Sequence, residues 1–371
     1  MEHMNATLPH TLPEDLLIEI LMRLPVRSIL RFKSVCKSWI SLISDPDFIR
    51  SHFALDATPT DRLFLSVNNY QVDCTDIEAS LDDNSAKVVF NFPLPSPDDK
   101  YGCTVDILGS CRGFMLLITD GDFIIWNPST GLRKGISHVM DDAHVYDFDA
   151  DRCGFGYDSS TDDYLIVNLT SEWWCTVVHY FSLRTDSWSR ILFDTAPYFT
   201  LCHRHGVLLN GALHWFVPPF HRYQPVIVSF DVTERRLSEI PLPHHFAIKC
   251  EIYDLSVMEG CLCLCVAESG FYGTVIWSMK QYKVHSSWTK LYVPLYNQCD
   301  PFLPVFYPFL PVFYPICSTK EGDFLGSNRK TLVKLNNKGE LLEHHARWHN
   351  MGSSILLRCG VYRESLLSLP E

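Results

Sequence analysis

The amino-acid sequence predicts a mainly β protein, in which a small N-terminal α-helical module precedes a large β-propeller-like domain of about six blades, or seven. Apolar residues recur at helical spacing near the N-terminus, whereas short β-rich runs between turn residues fill the rest of the chain. Similar runs return at intervals of about fifty residues, which is in the range typical of propeller blades.

The helical module occupies residues 11–53, after residues 1–10, which we expect to be disordered. Pro13 suits the first turn of a helix, and two acidic residues follow it at the positive end. Leu24-Pro25 ends this helix, because the residue before a proline is disfavoured in the α region. Apolar residues of the first helix share one stripe: Leu17, Ile20, Leu21 and Leu24. In the second helix we expect Ile29, Phe32 and Val35 to face inward. The third helix carries Trp39, Leu42 and Ile43.

The module carries more apolar positions than so small a bundle can bury, and a unit of this size is marginal by itself. The surplus predicts a helix-on-helix interface with a partner. A generic helical cap packed on the following domain is the alternative, although such a cap needs only one apolar face.

The same stretch resembles the F-box motif, with the order LP…RLP…VCKSW and matching residue types at Leu12, Pro13, Leu16, Ile20, Leu24, Pro25, Ser28, Ile29, Arg31, Phe32, Val35, Cys36, Lys37, Trp39, Pro46 and Phe48. The resemblance implies docking on a Skp-type adaptor, which links to cullin and RING subunits and a ubiquitin-conjugating enzyme. The candidate adaptor-binding residues on this basis are Leu12, Pro13, Leu16, Ile20, Leu24, Pro25, Ser28, Ile29, Phe32, Val35, Cys36 and Trp39.

The bulk composition excludes some classes of function. The net charge is −12, and the helical module is balanced, so the acidic excess lies beyond it. Such a charge argues against a nucleic-acid partner. The N-terminus lacks the pattern of a secretory signal, and no apolar stretch reaches membrane-spanning length without proline or charge. Fourteen scattered cysteines are typical of buried free thiols, so we expect a cytosolic or nuclear protein.

After a linker at residues 54–61, residues 62–371 show repeated strand signals. One signal is an apolar strand that follows a glycine, as in GFMLLI at Gly113, GALHWF at Gly211 and GCLCLC at Gly260. The other is an apolar strand that ends in a turn, with these central residues: Trp126, Phe181, Phe230, Trp277 and Leu335. Each unit is a small sheet that must pack on its neighbours, and closing the stack into a ring leaves few exposed edges.

This second region resembles the F-box-associated domain of type 1, which follows the F-box in many plant proteins. The resemblance spans residues 109–294 and rests on the ordered segments SCRGFMLL…WNPSTG, GFGYDSSTDDYLIV, SLRTDSW, GVLLNGALHWFV, IVSFDVTERRLSEIPLP, MEGCLCL and IWSMKQY…SSWTKL. Proteins of this type include S-locus F-box and F-box/kelch-repeat proteins and regulators of immune-receptor turnover. The resemblance does not select a target among theirs.

No pattern in the chain predicts a metal, a cofactor or a catalytic nucleophile. Cys261, Cys263 and Cys265 alternate with leucines and therefore share one face of a strand, without the paired short spacings that zinc sites use. There is no G-x-S-x-G elbow and no phosphate-binding glycine loop before a lysine. We therefore predict a non-catalytic protein that binds no cofactor.

Two segments are candidates for contact with a target protein. The first is an acidic loop around Asp147 and Asp149, which is either a solvated loop or a docking patch for a basic target. The second is PFLPVFY at Pro301, repeated without change from Pro308. A seven-residue insertion flips the faces of a strand, so one copy must leave the sheet and expose apolar residues, with Phe309 and Phe313 as candidates. A tandem duplication tolerated in a loop is the alternative.

Together these features predict a substrate-receptor subunit of an SCF-type ubiquitin ligase. The helices would bind a Skp-type adaptor, and the propeller would recruit a protein target for ubiquitination and degradation. One alternative is a binding scaffold that uses its F-box outside a ligase, and another is a propeller that binds a ligand. The sequence does not identify the target or the pathway.

Overall fold

The computed structural model of the chain describes residues 13–55, 61–66, 71–91, 105–119, 122–137, 152–172, 175–194, 205–217, 225–243, 253–266, 273–294, 313–327, 332–345 and 359–370. Within these ranges the chain forms four α-helices and 24 β-strands, and the strands build six four-stranded sheets. The predicted mainly β architecture with six blades is confirmed. Residues 1–10 and 56–60, assigned above to the N-terminus and the linker, lie outside the described residues.

The four helices are short and follow one another through tight turns: α1 (Glu14–Met22), α2 (Val26–Phe32), α3 (Lys37–Ile43) and α4 (Pro46–Leu55). Pro25 has φ −58° and ψ 147°, so the chain leaves the helical conformation between α1 and α2, as the sequence predicts. At the start of α4, the Asp45 carboxylate accepts hydrogen bonds from the backbone N–H groups of Asp47 and Phe48 at 2.8 and 3.1 Å. This cap satisfies donors that the first helical turn leaves free.

The strands form consecutive groups of four, apart from the first blade, which combines both ends of the domain. Blade 1 begins with β1 (Asp61–Ser66), β2 (Gln71–Asp76) and β3 (Val88–Asn91). Blades 2 and 3 are β4 (Val105–Cys111), β5 (Phe114–Thr119), β6 (Asp122–Trp126), β7 (Arg133–Ile136), β8 (Cys153–Asp158), β9 (Asp163–Glu172), β10 (Cys175–Ser182) and β11 (Ser187–Phe193). Blades 4 and 5 are β12 (Val207–Leu209), β13 (Ala212–Val217), β14 (Val226–Asp231), β15 (Arg236–Ile240), β16 (Tyr253–Met258), β17 (Cys261–Val266), β18 (Gly273–Met279) and β19 (Trp288–Pro294). Blade 6 is β20 (Tyr314–Ser318), β21 (Phe324–Ser327), β22 (Leu332–Leu335) and β23 (Leu341–His345), and β24 (Cys359–Arg363) completes blade 1.

The ring is closed by pairing the C-terminal strand with the N-terminal one. Strand β24 pairs antiparallel with β1, with Leu63 opposite Val361, and blade 1 has the order β24-β1-β2-β3. An edge strand presents unpaired backbone N–H and C=O groups, and a closed ring of blades leaves only short outer edges of this kind. The predicted central residues Trp126, Phe181, Phe230, Trp277 and Leu335 all lie on the third strand of their blades.

The glycine-led strands predicted from the sequence are second strands that follow tight two-residue turns. Cys111 pairs with Phe114 across Arg112 and Gly113, which have φ values of 50° and 84°. Two consecutive positive φ values are characteristic of the type I′ turn, whose twist matches that of paired strands. The same geometry recurs at Asn210-Gly211 in blade 4 and at Glu259-Gly260 in blade 5.

Apolar side chains fill the spaces between neighbouring blades, so the strands in the middle of each blade are buried on both faces. In β5, Phe114 and Leu116 face the cluster shared with blade 3, whereas Met115 and Leu117 face the cluster shared with blade 1. This alternation follows from the two-residue period of a strand. Because both faces of these strands are buried, their sequences are continuous apolar runs.

Strand direction defines two faces of the propeller. In blade 2, the turns β4–β5 and β6–β7 lie at one end of the sheet, whereas Thr119 and Asp122, which join β5 to β6, lie at the other. The four helices pack at the first of these ends, where the Arg112 guanidinium lies 4.8 Å from the ring centre of Phe53 in α4. We call this end the helix-side face and the other end the opposite face.

The prediction that Phe313 is exposed is wrong. Phe313 is 3% exposed and belongs to the core cluster between blades 5 and 6. Its backbone N–H donates a hydrogen bond to Thr274 Oγ1 at 2.9 Å, and its ring lies against Gly326, where any β-carbon would collide with it. The second copy of the repeated heptapeptide therefore ends in the core, directly before β20. Residues 301–312, including Phe309, lie outside the described residues.

Candidate protein-docking site

The helical module has its own small core. Its fully or nearly fully buried residues come from all four helices: Leu21, Val26, Ile29, Ile43 and Phe48. The rings of Phe32 and Trp39 meet edge to face with centroids 5.3 Å apart, which joins α2 to α3. His52 Nε2 in α4 lies 2.9 Å from the carbonyl oxygen of Leu24, so the end of α1 is tied to α4. The helices thus form one unit with a defined outer surface.

Five large aliphatic side chains in the described part of this unit are about half exposed. Leu55 is the last residue of α4 and is 49% exposed, and the other four lie in α1, in α3 and in the turn before α3. Leu16 is 49% exposed, Ile20 50%, Val35 59% and Ile40 47%. The prediction that Val35 faces inward is wrong, because α2 ends at Phe32 and Val35 lies in the turn before α3. These exposed aliphatic residues are the candidates for contact with a partner protein, because exposed apolar surface on a small unit is often a binding site.

The other candidate residues divide by burial. Pro13 and Cys36 are exposed; Leu24, Pro25, Ser28, Phe32 and Trp39 are partly buried; Ile29 is completely buried, and Leu12 lies outside the described residues. Ile29 therefore serves the core and contacts no partner directly. Cys36 Sγ lies 3.0 Å from Ser38 Oγ, and this hydrogen bond lowers the pKa of the thiol.

The sequence analysis did not include Ile40 among the candidates. Ile40 follows Cys36 by four residues, and residues four apart lie on the same side of a helix. Cys36 was already a candidate through the F-box resemblance, so this spacing could have identified Ile40 as a further candidate.

Two families match the chain and together cover most of it. The F-box domain family matches residues 10–51, which include most of the helical module, and the F-box associated beta propeller domain family matches residues 63–342. The chain is an F-box protein with an F-box-associated propeller. The resemblances inferred from the sequence are thereby confirmed.

Relatives of this F-box protein occur in Arabidopsis thaliana. F-box/kelch-repeat protein At3g23880 is 29% identical in an alignment 302 residues long that covers 76% of this chain and 79% of the relative. F-box protein CPR1 is 30% identical in an alignment 317 residues long that covers 76% of this chain and 72% of the relative. Among solved structures, TolB from Acinetobacter baumannii has a TM-score of 0.44 at 10% identity, covering 80% of this chain and 69% of TolB, a similarity too low to bear on function.

Several acidic residues of the F-box-associated propeller that follow the predicted acidic loop have structural roles. Asp158 is 2% exposed, and its carboxylate accepts hydrogen bonds from Thr233 Oγ1 and Arg235 Nη2, both at 3.1 Å, which joins blade 3 to blade 4. Asp163 is 4% exposed and accepts a hydrogen bond from the backbone N–H of Arg184 at 2.9 Å. These two carboxylates are not available for a target.

Asp147 and Asp149 lie outside the described residues, but the strands that flank them are described. The preceding strand, β7, ends at Ile136, and Ile136 pairs with Phe123 at the opposite face of the propeller. The following strand, β8, starts from the same face, as does β20 after residues 295–312. The described strand ends that flank both candidate target-binding segments therefore lie at the face away from the F-box.

The described part of the F-box protein contains no group of three or more His, Cys, Asp or Glu residues that could hold a metal ion. Cys263 and Cys265 lie in the core cluster with Phe313, and burial raises the pKa of Cys263 to about 11. A thiol with such a pKa stays protonated at neutral pH and is a poor metal ligand. No helix among the described residues is long and apolar enough to cross a membrane.

Proposed function

We propose that this F-box protein is the substrate receptor of an SCF-type ubiquitin ligase. The observation that carries the proposal is the group of outward aliphatic residues Leu16, Ile20, Val35 and Ile40 on the F-box. These residues would pack on a Skp-type adaptor, which would bring cullin and RING subunits and a loaded ubiquitin-conjugating enzyme. Catalysis would come from these partners, because holding two reactants together removes much of the entropic barrier.

The arrangement of the two domains supports this role. The propeller packs on the F-box through its helix-side face, whereas the described strand ends that flank the candidate target-binding segments lie at the opposite face. A target bound there would not compete with the adaptor for the same surface. The proposal implies a cytosolic or nuclear protein, where such ligases act.

The decisive experiment measures binding of the purified full-length protein to a plant Skp-type adaptor by isothermal titration calorimetry. Ile20→Asp and Val35→Asp place a charge in the proposed interface at positions that are about half exposed, so the fold should tolerate them. Each should lower the affinity at least about tenfold, equivalent to ~1.4 kcal/mol, since burial of such a side chain contributes about 1.5–3 kcal/mol.

The matched control is Leu192→Asp, the same type of change at a leucine of β11 that is 55% exposed. The control should bind the adaptor like the wild type. A folded wild-type protein without measurable adaptor binding would rule out the ligase role. Adaptor binding without any effect on the turnover of bound proteins in plant cells would instead favour a scaffold outside a ligase.

A further inference from the structure

The chain does not end at the strand that closes the propeller. After β24 it continues through residues 364–369, which lie between the F-box and the propeller and which we call the C-terminal strap. Four consecutive residues of the strap, residues 364–367, are buried. These residues belong to no helix or strand, so their buried backbone polar groups need hydrogen-bond partners in other elements.

Alternate residues of the strap contact the two domains. Glu364 and Leu366 face the F-box: Glu364 Oε1 accepts a hydrogen bond from Arg27 Nε of α2 at 2.7 Å, and Leu366 belongs to the core cluster of the helices. Leu367 belongs to the cluster between blades 2 and 3, and Leu369 packs against that cluster. The strap thus lies between the F-box and the propeller, and neighbouring side chains along it contact different domains.

Several polar groups of the strap are held by hydrogen bonds, although Glu364 Oε2 is buried without a partner. The side-chain amide of Asn127, at the end of β6, donates hydrogen bonds to the carbonyl oxygens of Ser365 and Leu367, both at 3.1 Å. The Glu364 carboxylate is 2% exposed, and the oxygen that binds Arg27 also accepts a hydrogen bond from Arg62 Nε of β1 at 2.9 Å. One buried oxygen therefore joins the F-box, the strap and blade 1.

A second contact between the domains lies beside the strap. Ile49 and Phe53 of α4 pack against the cluster between blades 2 and 3. The guanidinium of Arg112 lies between two rings, 4.8 Å from the centre of Phe53 and 4.1 Å from that of Tyr157 in β8. A cation between two aromatic faces resists both sliding and separation of the two domains.

We propose that the C-terminal strap fixes the F-box on the propeller in one orientation, and that this orientation sets the direction in which the opposite face presents a bound protein to the ubiquitin-conjugating enzyme. The inference rests on the proposed function of the F-box as an adaptor-docking module. Ubiquitin transfer by proximity requires that the two reacting groups come within reach of each other. A flexible connection between the domains lowers the effective concentration of one group at the other.

The test separates the two sides of the strap without emptying either core. Four residues, Gly-Ser-Gly-Ser, are inserted at each of two places, between Arg363 and Glu364 and between Leu366 and Leu367. Leu366 can still fill the F-box core and Leu367 the propeller core, but the segment that contacts the F-box is no longer joined rigidly to β24. The matched control carries the same insertion between Asn337 and Lys338, two exposed residues in the β22–β23 turn.

The first measurement is small-angle X-ray scattering of the full-length proteins without partners. The wild type and the control should have the same radius of gyration, and the strap insertion should give a larger one because the F-box is released from its fixed position. An unchanged radius of gyration in the strap variant would contradict the proposal, whether or not any adaptor binds.

The second measurement uses a ligase reconstituted with a Skp-type adaptor, cullin, RING subunit and ubiquitin-conjugating enzyme, and it maps ubiquitin on the lysines of this protein by mass spectrometry. The wild type and the control should be modified at the same few lysines, and the strap variant at a wider set, with adaptor affinity unchanged.

An identical set of modified lysines in all three proteins would overturn the proposal. Loss of adaptor binding in the strap variant alone would also overturn it, because the strap would then serve the fold of the F-box. A wild type that binds no adaptor would contradict the proposed function, and the scattering result would still decide on the strap.

Discussion

His214 is a buried histidine at the contact between blades 4 and 5. Its Nδ1 lies 3.1 Å from the carbonyl oxygen of Val207, and its Nε2 lies 2.8 Å from the hydroxyl of Tyr282. A neutral ring fits both contacts, with Nδ1–H donating to the carbonyl and Nε2 accepting from the tyrosine. Burial lowers the pKa of His214 to about 4, since a charged ring would lose its hydration.

This residue should make the propeller sensitive to mild acid. In the unfolded chain the histidine binds a proton below pH 6.5, whereas in the folded chain it does so only near pH 4, so stability falls as the pH decreases through this range. At pH 5.0 the penalty should be about 2 kcal/mol relative to pH 7.5. His214→Gln should remove this part of the pH dependence of urea unfolding, and His344→Gln, a change at an exposed histidine of β23, should retain it. Equal pH dependence in the wild type and in His214→Gln would contradict this assignment.

Gly113 and Gly211 occupy equivalent positions in two type I′ turns but differ in their surroundings. Their φ values are +84° and +74°, so alanine is strained at both, by about 1–2 kcal/mol. A β-carbon on Gly113 would also lie 3.0 Å from the carbonyl oxygen of Arg363 and even closer to the Ser365 side chain, whereas on Gly211 it would meet no atom within 4 Å. Gly113→Ala should therefore reduce the free energy of unfolding by roughly 1–3 kcal/mol more than Gly211→Ala, as measured by chemical denaturation. Equal losses of unfolding free energy in the two variants would show that the strap can move away from the added β-carbon without an energetic cost.

At the scale of elements, the heptapeptide PFLPVFY occurs twice in succession, and the second copy leads into β20. Deleting residues 301–307 or residues 308–314 yields the same chain, in which one PFLPVFY copy still leads into β20. Because the described core contains only Phe313 and Tyr314 of the repeat, the deletion should change the free energy of unfolding by less than about 0.5 kcal/mol.

By contrast, Phe313→Ala should lower the free energy of unfolding by about 3–5 kcal/mol, since it leaves a cavity in the core. A deletion as damaging as Phe313→Ala would show that the first copy also has a structural role. Whether either copy binds a target stays a prediction.

Blades 2, 4 and 5 follow one plan, because their second strands are buried on both faces. This burial explains the resemblance between GFMLLI, GALHWF and GCLCLC, all of which follow a glycine with positive φ. The first strands are less regular, and β4 and β20 contain register shifts, so their sequence signals are weak. The sequence could therefore count blades from second and third strands but could not identify the composition of blade 1, which joins residues near Leu63 to residues near Val361.

At the scale of the whole molecule, the C-terminus has two structural roles within a dozen residues. Strand β24 closes the propeller, and the strap that follows it joins the propeller to the F-box. Because the described F-box helices pack at the helix-side face, they do not cover the opposite face. Under the proposed function, the relation between the F-box and a target at the opposite face depends on residues more than three hundred positions from the F-box in the sequence.

The sequence by itself determined the mainly β class, the helical F-box, the propeller with its repeat interval, and most of the residues of the proposed docking surface, although not Ile40. These features depend on local periodicity and on residue patterns within about forty residues, which one chain displays directly. Only the tertiary structure decided that Val35 and Ile40 face outward while Ile29 and Phe313 are buried, and that the last residues form a layer between the domains. The physical reason is that burial depends on contacts between distant segments, such as Arg27 with Glu364, and no local pattern encodes which distant segment will cover a given side chain.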